Sequence, residues 1–144
     1  MLGSHWSLPM FRNLFLSLAA VLLLVTAAQA ESGSFEGKWQ QIGSNAGDCK
    51  TCKIEITKTG MSLNVTSNNG WAATFKKPKA DSVKVVEGTG EWRSNSGGAY
   101  AGKLFLAHME IRNARLYLKM MVRQNNGVIS TVEASFQRSK ALDI

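Results

Sequence analysis

From Ser34 onward, apolar residues recur at every second position, the period of strands that bury one face. Ile54 and Ile56 alternate with Lys53, Glu55 and Thr57, while Met61, Leu63 and Val65 alternate with Ser62, Asn64 and Thr66, and Gly60 separates the two runs. Asn68-Asn69-Gly70 is a tight-turn signal because its residues accept positive φ, and Trp71, Ala73 and Phe75 make the next alternating run. Val83–Trp92 reads as a further strand, with Gly88 and Gly90 marking a bulge or a sharp bend, and Ser94–Gly98 reads as loop. The last third carries the longest strands, roughly Ala99–Ile111, Ala114–Arg123 and Val128–Arg138, joined at Arg112-Asn113 and Asn125-Asn126-Gly127. With Phe35–Ile42 at the start, the count reaches eight.

Eight short antiparallel strands on tight turns within ~110 residues predict an all-β fold, either a two-sheet sandwich or an eight-stranded antiparallel up-and-down barrel. The barrel is the expectation, since closure removes exposed strand edges. Leu116–Val122, rich in Leu, Met and Lys, also fits a helix. Its place between two turns, and its even-numbered apolar set Leu116, Leu118, Met120 and Val122, favour a strand.

The first thirty residues break this pattern. Arg12, the apolar run Leu14–Val25 and Ala28-Gln29-Ala30 before Glu31 read as a cleaved signal peptide, with Met1 or Met10 as its start. The run is too short to cross a ~30 Å bilayer core, and no Cys stands at position 31 to carry a lipid. The expectation is a leader over 1–30 and a single soluble β-barrel domain over 31–144, secreted or periplasmic.

Seventeen Lys and Arg face ten Asp and Glu, a formal net charge of +7, which becomes +6 once Arg12 leaves with the leader. Lys76, Lys77, Lys79 and Lys84 gather around Pro78. They read as a solvated turn, or as a contact for anionic lipid headgroups or another polyanion. Nucleic acid is not expected as a partner, because no aromatic residues interleave with these lysines as a stacking platform.

Cys49-Lys50-Thr51-Cys52 permits a disulfide, half a metal site or a redox centre. Export favours the disulfide, clipping the loop between the first two strands, and a redox centre would need a helix start and a βαβ setting that this pattern lacks. Structural zinc would need four ligands, and His108 is the only histidine after the leader. That histidine lies in an apolar strand, and Glu55, Glu87, Glu91, Glu110 and Glu133 are scattered, so neither a nucleophile–base pair nor a carboxylate pair stands out. The chain is not expected to be an enzyme, and neither cofactor nor metal is expected.

Gly37-Lys38-Trp39 in the first strand and Arg138 near the end of the last resemble the calycin group, which includes lipocalins, fatty-acid-binding proteins and avidins. The resemblance implies a barrel in which Trp39 closes the floor and Arg138 packs across its ring over the seam, with Gly37 beside them. The run Gly37–Asn45 is also similar to the opening of avidin, one residue shorter. A looser resemblance, through Gly98-Ala99-Tyr100-Ala101-Gly102-Lys103-Leu104, is to small secreted bacterial domains of unknown function that carry a Gly-x-Tyr-x-Gly-x-Leu strand.

The sixth and seventh strands are apolar on both faces, so either parity can point inward and the surplus face can serve a homodimer or another partner. The barrel interior is either packed core or a cavity. Trp71, Phe75, Trp92, Met109 and Met120 are the candidate lining of such a cavity, with flexible Met side chains adapting to a lipid-like guest. Two functions follow as expectations: a lipocalin-like binding protein for a small apolar or amphipathic ligand, or a small inhibitor or interaction module acting on an exported protein.

Overall fold

Each run of alternating residues turns back on the one before it, so every strand pairs antiparallel with its sequence neighbour and the last returns to the first. The structure, a computed structural model, describes residues 33–80 and 82–140. The leader expected over 1–30 lies outside them. Strands β1 (Gly37–Ser44), β2 (Lys53–Thr59), β3 (Ser62–Ser67), β4 (Trp71–Lys76), β5 (Val85–Trp92), β6 (Leu104–Arg112), β7 (Arg115–Arg123) and β8 (Ile129–Arg138) form one closed barrel in chain order. The eight-stranded antiparallel barrel expected from the alternation is the fold, and its architecture is consistent with a calycin-like fold.

Inward parity is resolved by burial. In β6 the inward set is Phe105, Ala107, Met109 and Ile111, and in β7 it is Leu116, Leu118, Met120 and Val122. The alternate residues Leu104 and Leu106 face out, 71% and 57% exposed. Together with Met121 and Ile129 they line an apolar strip on the outer wall.

Three local expectations change. The glycines of β5 make no bulge: pairing with β4 and β6 runs in register throughout. A Cβ on Gly88 would fall 2.8 Å from the Phe75 ring, and one on Gly90 would fall 2.4 Å from the Phe105 ring, so inward rings occupy the space these residues leave. The bulge lies instead in β1, where the register against β8 shifts between Gln41 and Gly43. Ser44 thereby pairs with the inward Ala134 and rejoins the parity of Gln41. Finally, the stretch 98–103 is not a strand. Positive φ at Gly97, Gly98 and Gly102 winds it into a 3-10 turn over Gly98–Tyr100, and β6 starts at Leu104.

Antiparallel pairing gives the barrel two ends. One carries the β2–β3, β4–β5 and β6–β7 turns, with the segment 33–36 beside the start of β1. Here Phe35 and Trp39 are buried, and the Trp39 indole N–H donates to the Phe35 carbonyl at 2.9 Å. The Arg138 guanidinium lies 4.2 Å from the centroid of the Trp39 ring and donates to the carbonyls of Ser34 and Glu36. Lys84 donates to the Gly33 carbonyl at 2.7 Å. The Ser34 hydroxyl donates to Glu36, and that bond, followed by the backbone N–H of Glu36, holds its carboxyl below the usual range. This is the closed end. The other end, rimmed by the loops 45–52, 68–70, 93–103 and 124–128, is open.

Candidate functional site

At the open end the inward positions of β1, β4, β5, β7 and β8 surround a cup of about 390 Å³. Its walls are Trp71 and Trp92, which pair across β4 and β5, with Leu118, Met120, Val132, Ala134 and Phe136 opposite. The rings order one another: Trp92 stacks on Tyr100 with centroids 5.8 Å apart, and Trp71 meets both Trp92 and Phe105 edge-on. Such pairs add about 0.5–1.5 kcal/mol each beyond their burial, which stiffens this wall.

The rim is tied down from both sides. Cys49 and Cys52 form the expected disulfide, and both line the cup. The Gln40 amide donates to the carbonyls of Lys50 and Cys52, each at 2.9 Å, and Asn68 donates to the Thr51 carbonyl at 2.8 Å while accepting from the Lys53 N–H. On the other flank, Asn45 donates to the Thr131 carbonyl and accepts from the Glu133 N–H. The 93–103 loop is anchored to the β3–β4 turn, through the Arg93 N–H and the Ser96 hydroxyl to the Gly70 carbonyl.

Of the five lining candidates, Trp71, Trp92 and Met120 lie on the wall of the cup. Phe75 and Met109 do not; they sit in the packed interior nearer the closed end, 1% and 0% exposed. Tyr100 belongs to the site, and sequence reading missed it by placing it in a strand. Leu118, Val132 and Phe136 continue the period-two inward sets of β7 and β8, a signal that was present but did not say which end of the barrel stays hollow.

The basic cluster sits away from the cup. Lys76, Lys77 and Lys79 leave β4 at the closed end, where Lys84 holds Gly33. A larger hollow, about 880 Å³, lies on the outer wall against Leu104, Leu106, Met121 and Ile129, open to solvent.

Chemically, the cup offers apolar burial, ring stacking and a few polar side chains: Gln41, Ser44, Asp48 and Asn69. Among the described residues no group of three His, Cys, Asp or Glu is placed to hold a metal ion. His108 pairs in register with Glu87 and Lys119 and lies outside the cup, on the outer-wall parity of β6. Neither a family model nor a curated protein matches the sequence.

Proposed function

We propose that the protein is a secreted or periplasmic binding protein that holds a small apolar or amphipathic molecule in the cup at the open end of its barrel. The observation that carries this reading is the cup itself, about 390 Å³, walled by Trp71, Trp92, Tyr100 and Met120 and rimmed by a disulfide-clipped loop. Its volume falls near the lower end of the ~300–1,000 Å³ usual for ligand sites, which favours a compact guest over a long acyl chain. The disulfide supports an oxidising compartment, as does the leader read over 1–30.

Native mass spectrometry of the exported protein after gentle purification tests this. A small adduct that leaves on denaturation and appears in the organic extract is the expected result. A bare barrel with no extractable molecule, recovered in a stable complex with another protein, would overturn it. That outcome belongs to the second reading, an inhibitor or interaction module, which the exposed strip of Leu104, Leu106, Met121 and Ile129 supports.

A further inference from the structure

We infer that the outer wall centred on β6 is the interface of a homodimer, in which two copies pack face to face about a two-fold axis running along that strand. The inference concerns the outside of the barrel and stands whether or not the cup holds a guest.

Three neighbouring strands set out this wall in columns. The outward residues of β6 include Leu104 and Leu106, both exposed. Those of β5 are acidic at Glu87 and Glu91, with Thr89 between them, and those of β7 are basic at Lys119 and Arg123, with Met121 between them. The register sets them in level rows. Glu91 pairs with Leu104, and Arg123 stands on the other side of Leu104, one step beyond the Phe105–Val122 pair. In the next row Thr89 pairs with Leu106 and Leu106 with Met121; in the third, Glu87 pairs with His108 and His108 with Lys119. An acidic column and a basic column thus flank an apolar one.

A half-turn about β6 lays the β5 column of one copy over the β7 column of the other at the same level. Glu91 then meets Arg123 of the second copy and Glu87 meets its Lys119, each contact made twice, while Leu104 and Leu106 meet their own counterparts on the axis. Size is matched as well as charge, since the same turn sets the long Met121 over the short Thr89. The wall is hollow here, with about 880 Å³ of open space from β3 to Ile129 of β8 and both Glu91 and Arg123 on its lining, so two such faces can approach.

Charge singles out a second copy as the occupant. The chain carries a net charge of +7, which sets two copies repelling one another, but the two acids and two bases of this wall cancel. Lys119 already pairs with Glu133 at 3.5 Å. Among the described residues neither Glu91 nor Arg123 makes an ion pair within the chain, and Leu104 stands between them. Both are therefore available to the second copy, beside leucines that a monomer leaves in water.

Sedimentation velocity of the exported, disulfide-intact protein tests this. A dimer is expected at about 100 µM protein. Leu106→Lys, at an exposed position that leaves the core untouched, should abolish it by setting like charges on the axis. Glu91→Lys and Arg123→Glu should each weaken association about tenfold, since each turns two attractions into two repulsions. Mixed in equal amounts, these two variants should recover native affinity as a heterodimer, because each supplies the charge that the other has reversed. Only contact across the axis gives that rescue; a fold damaged by either substitution would stay damaged in the mixture. A native protein that remains monomeric at that concentration overturns the inference and leaves the strip to a different partner. A dimer that survives Leu106→Lys, or charge variants that associate like the native chain or fail to rescue one another, overturns it as well.

Discussion

The two ends of this barrel each present a buried tryptophan, and they treat it in opposite ways. At the closed end Trp39 has a backbone acceptor for its N–H and a guanidinium across its face. At the open end Trp92 is stacked by Tyr100 and crossed by Trp71, but among the described residues its N–H has no hydrogen-bond partner. Burial alone does not separate the two residues; hydrogen-bond satisfaction does. A ring that completes its interactions within the chain belongs to the scaffold, whereas a buried donor without an acceptor leaves that part of the fold less well satisfied.

The largest effect should come from emptying the closed end. Met109→Ala is expected to cost about 2–5 kcal/mol in urea unfolding, because its neighbours cannot collapse into the space. Met120→Ala should cost at least about 1 kcal/mol less, since its lost volume merges with the cup instead of making a sealed cavity. Equal losses would mean that the open end is as tightly packed as the closed one. Next, Trp39→Phe should cost about 1–3 kcal/mol more than Trp92→Phe, because only the first breaks a made hydrogen bond and strands the Phe35 carbonyl. Unfolding curves that shift alike would erase the distinction between the two tryptophans. The smallest effect is expected from reducing Cys49–Cys52, which closes so short a loop that chain entropy allows at most about 2 kcal/mol. Hydrogen exchange should quicken over 45–52 and leave β1 near Trp39 unchanged; a uniform rise would show that the rim and the floor are one cooperative unit.

Much of the architecture was legible because alternation survives in strands with one wet face. Ile54 and Ile56, Leu63 and Val65, and Trp71, Ala73 and Phe75 each declare a buried side, and each run ends at a turn residue. The reading blurred where that contrast vanished. In β6 and β7 apolar residues stand on both faces, so parity is decided by the partners: Phe105 and Met109 have inward neighbours across the register, whereas Leu104 and Leu106 have none to bury them. Glycine caused the other errors. Gly88 and Gly90, read as a bulge or a sharp bend, sit in unbroken register and make room for Phe75 and Phe105, while Gly98 and Gly102 wind the start of the strand expected from Ala99 into the loop that brings Tyr100 to Trp92. The cup was not legible as a place, because it is assembled from loop conformations and from which end of the inward rows stays unfilled.

The contact of Arg138 with Trp39 has a consequence for how the chain reaches this form. All but one of the strand pairs join neighbours along the sequence, and the exception pairs Trp39 with Arg138 across almost the entire barrel sequence. Joining segments about 100 residues apart costs on the order of 4 kcal/mol of loop entropy, against about 1–2 kcal/mol for a turn of a few residues. The guanidinium, its two carbonyl acceptors and the ring beneath it therefore stand where the polymer resists ordering most. Until they meet, β1 and β8 are bare edges, open to pairing with another copy of the chain; once they meet, the barrel has no edge at all.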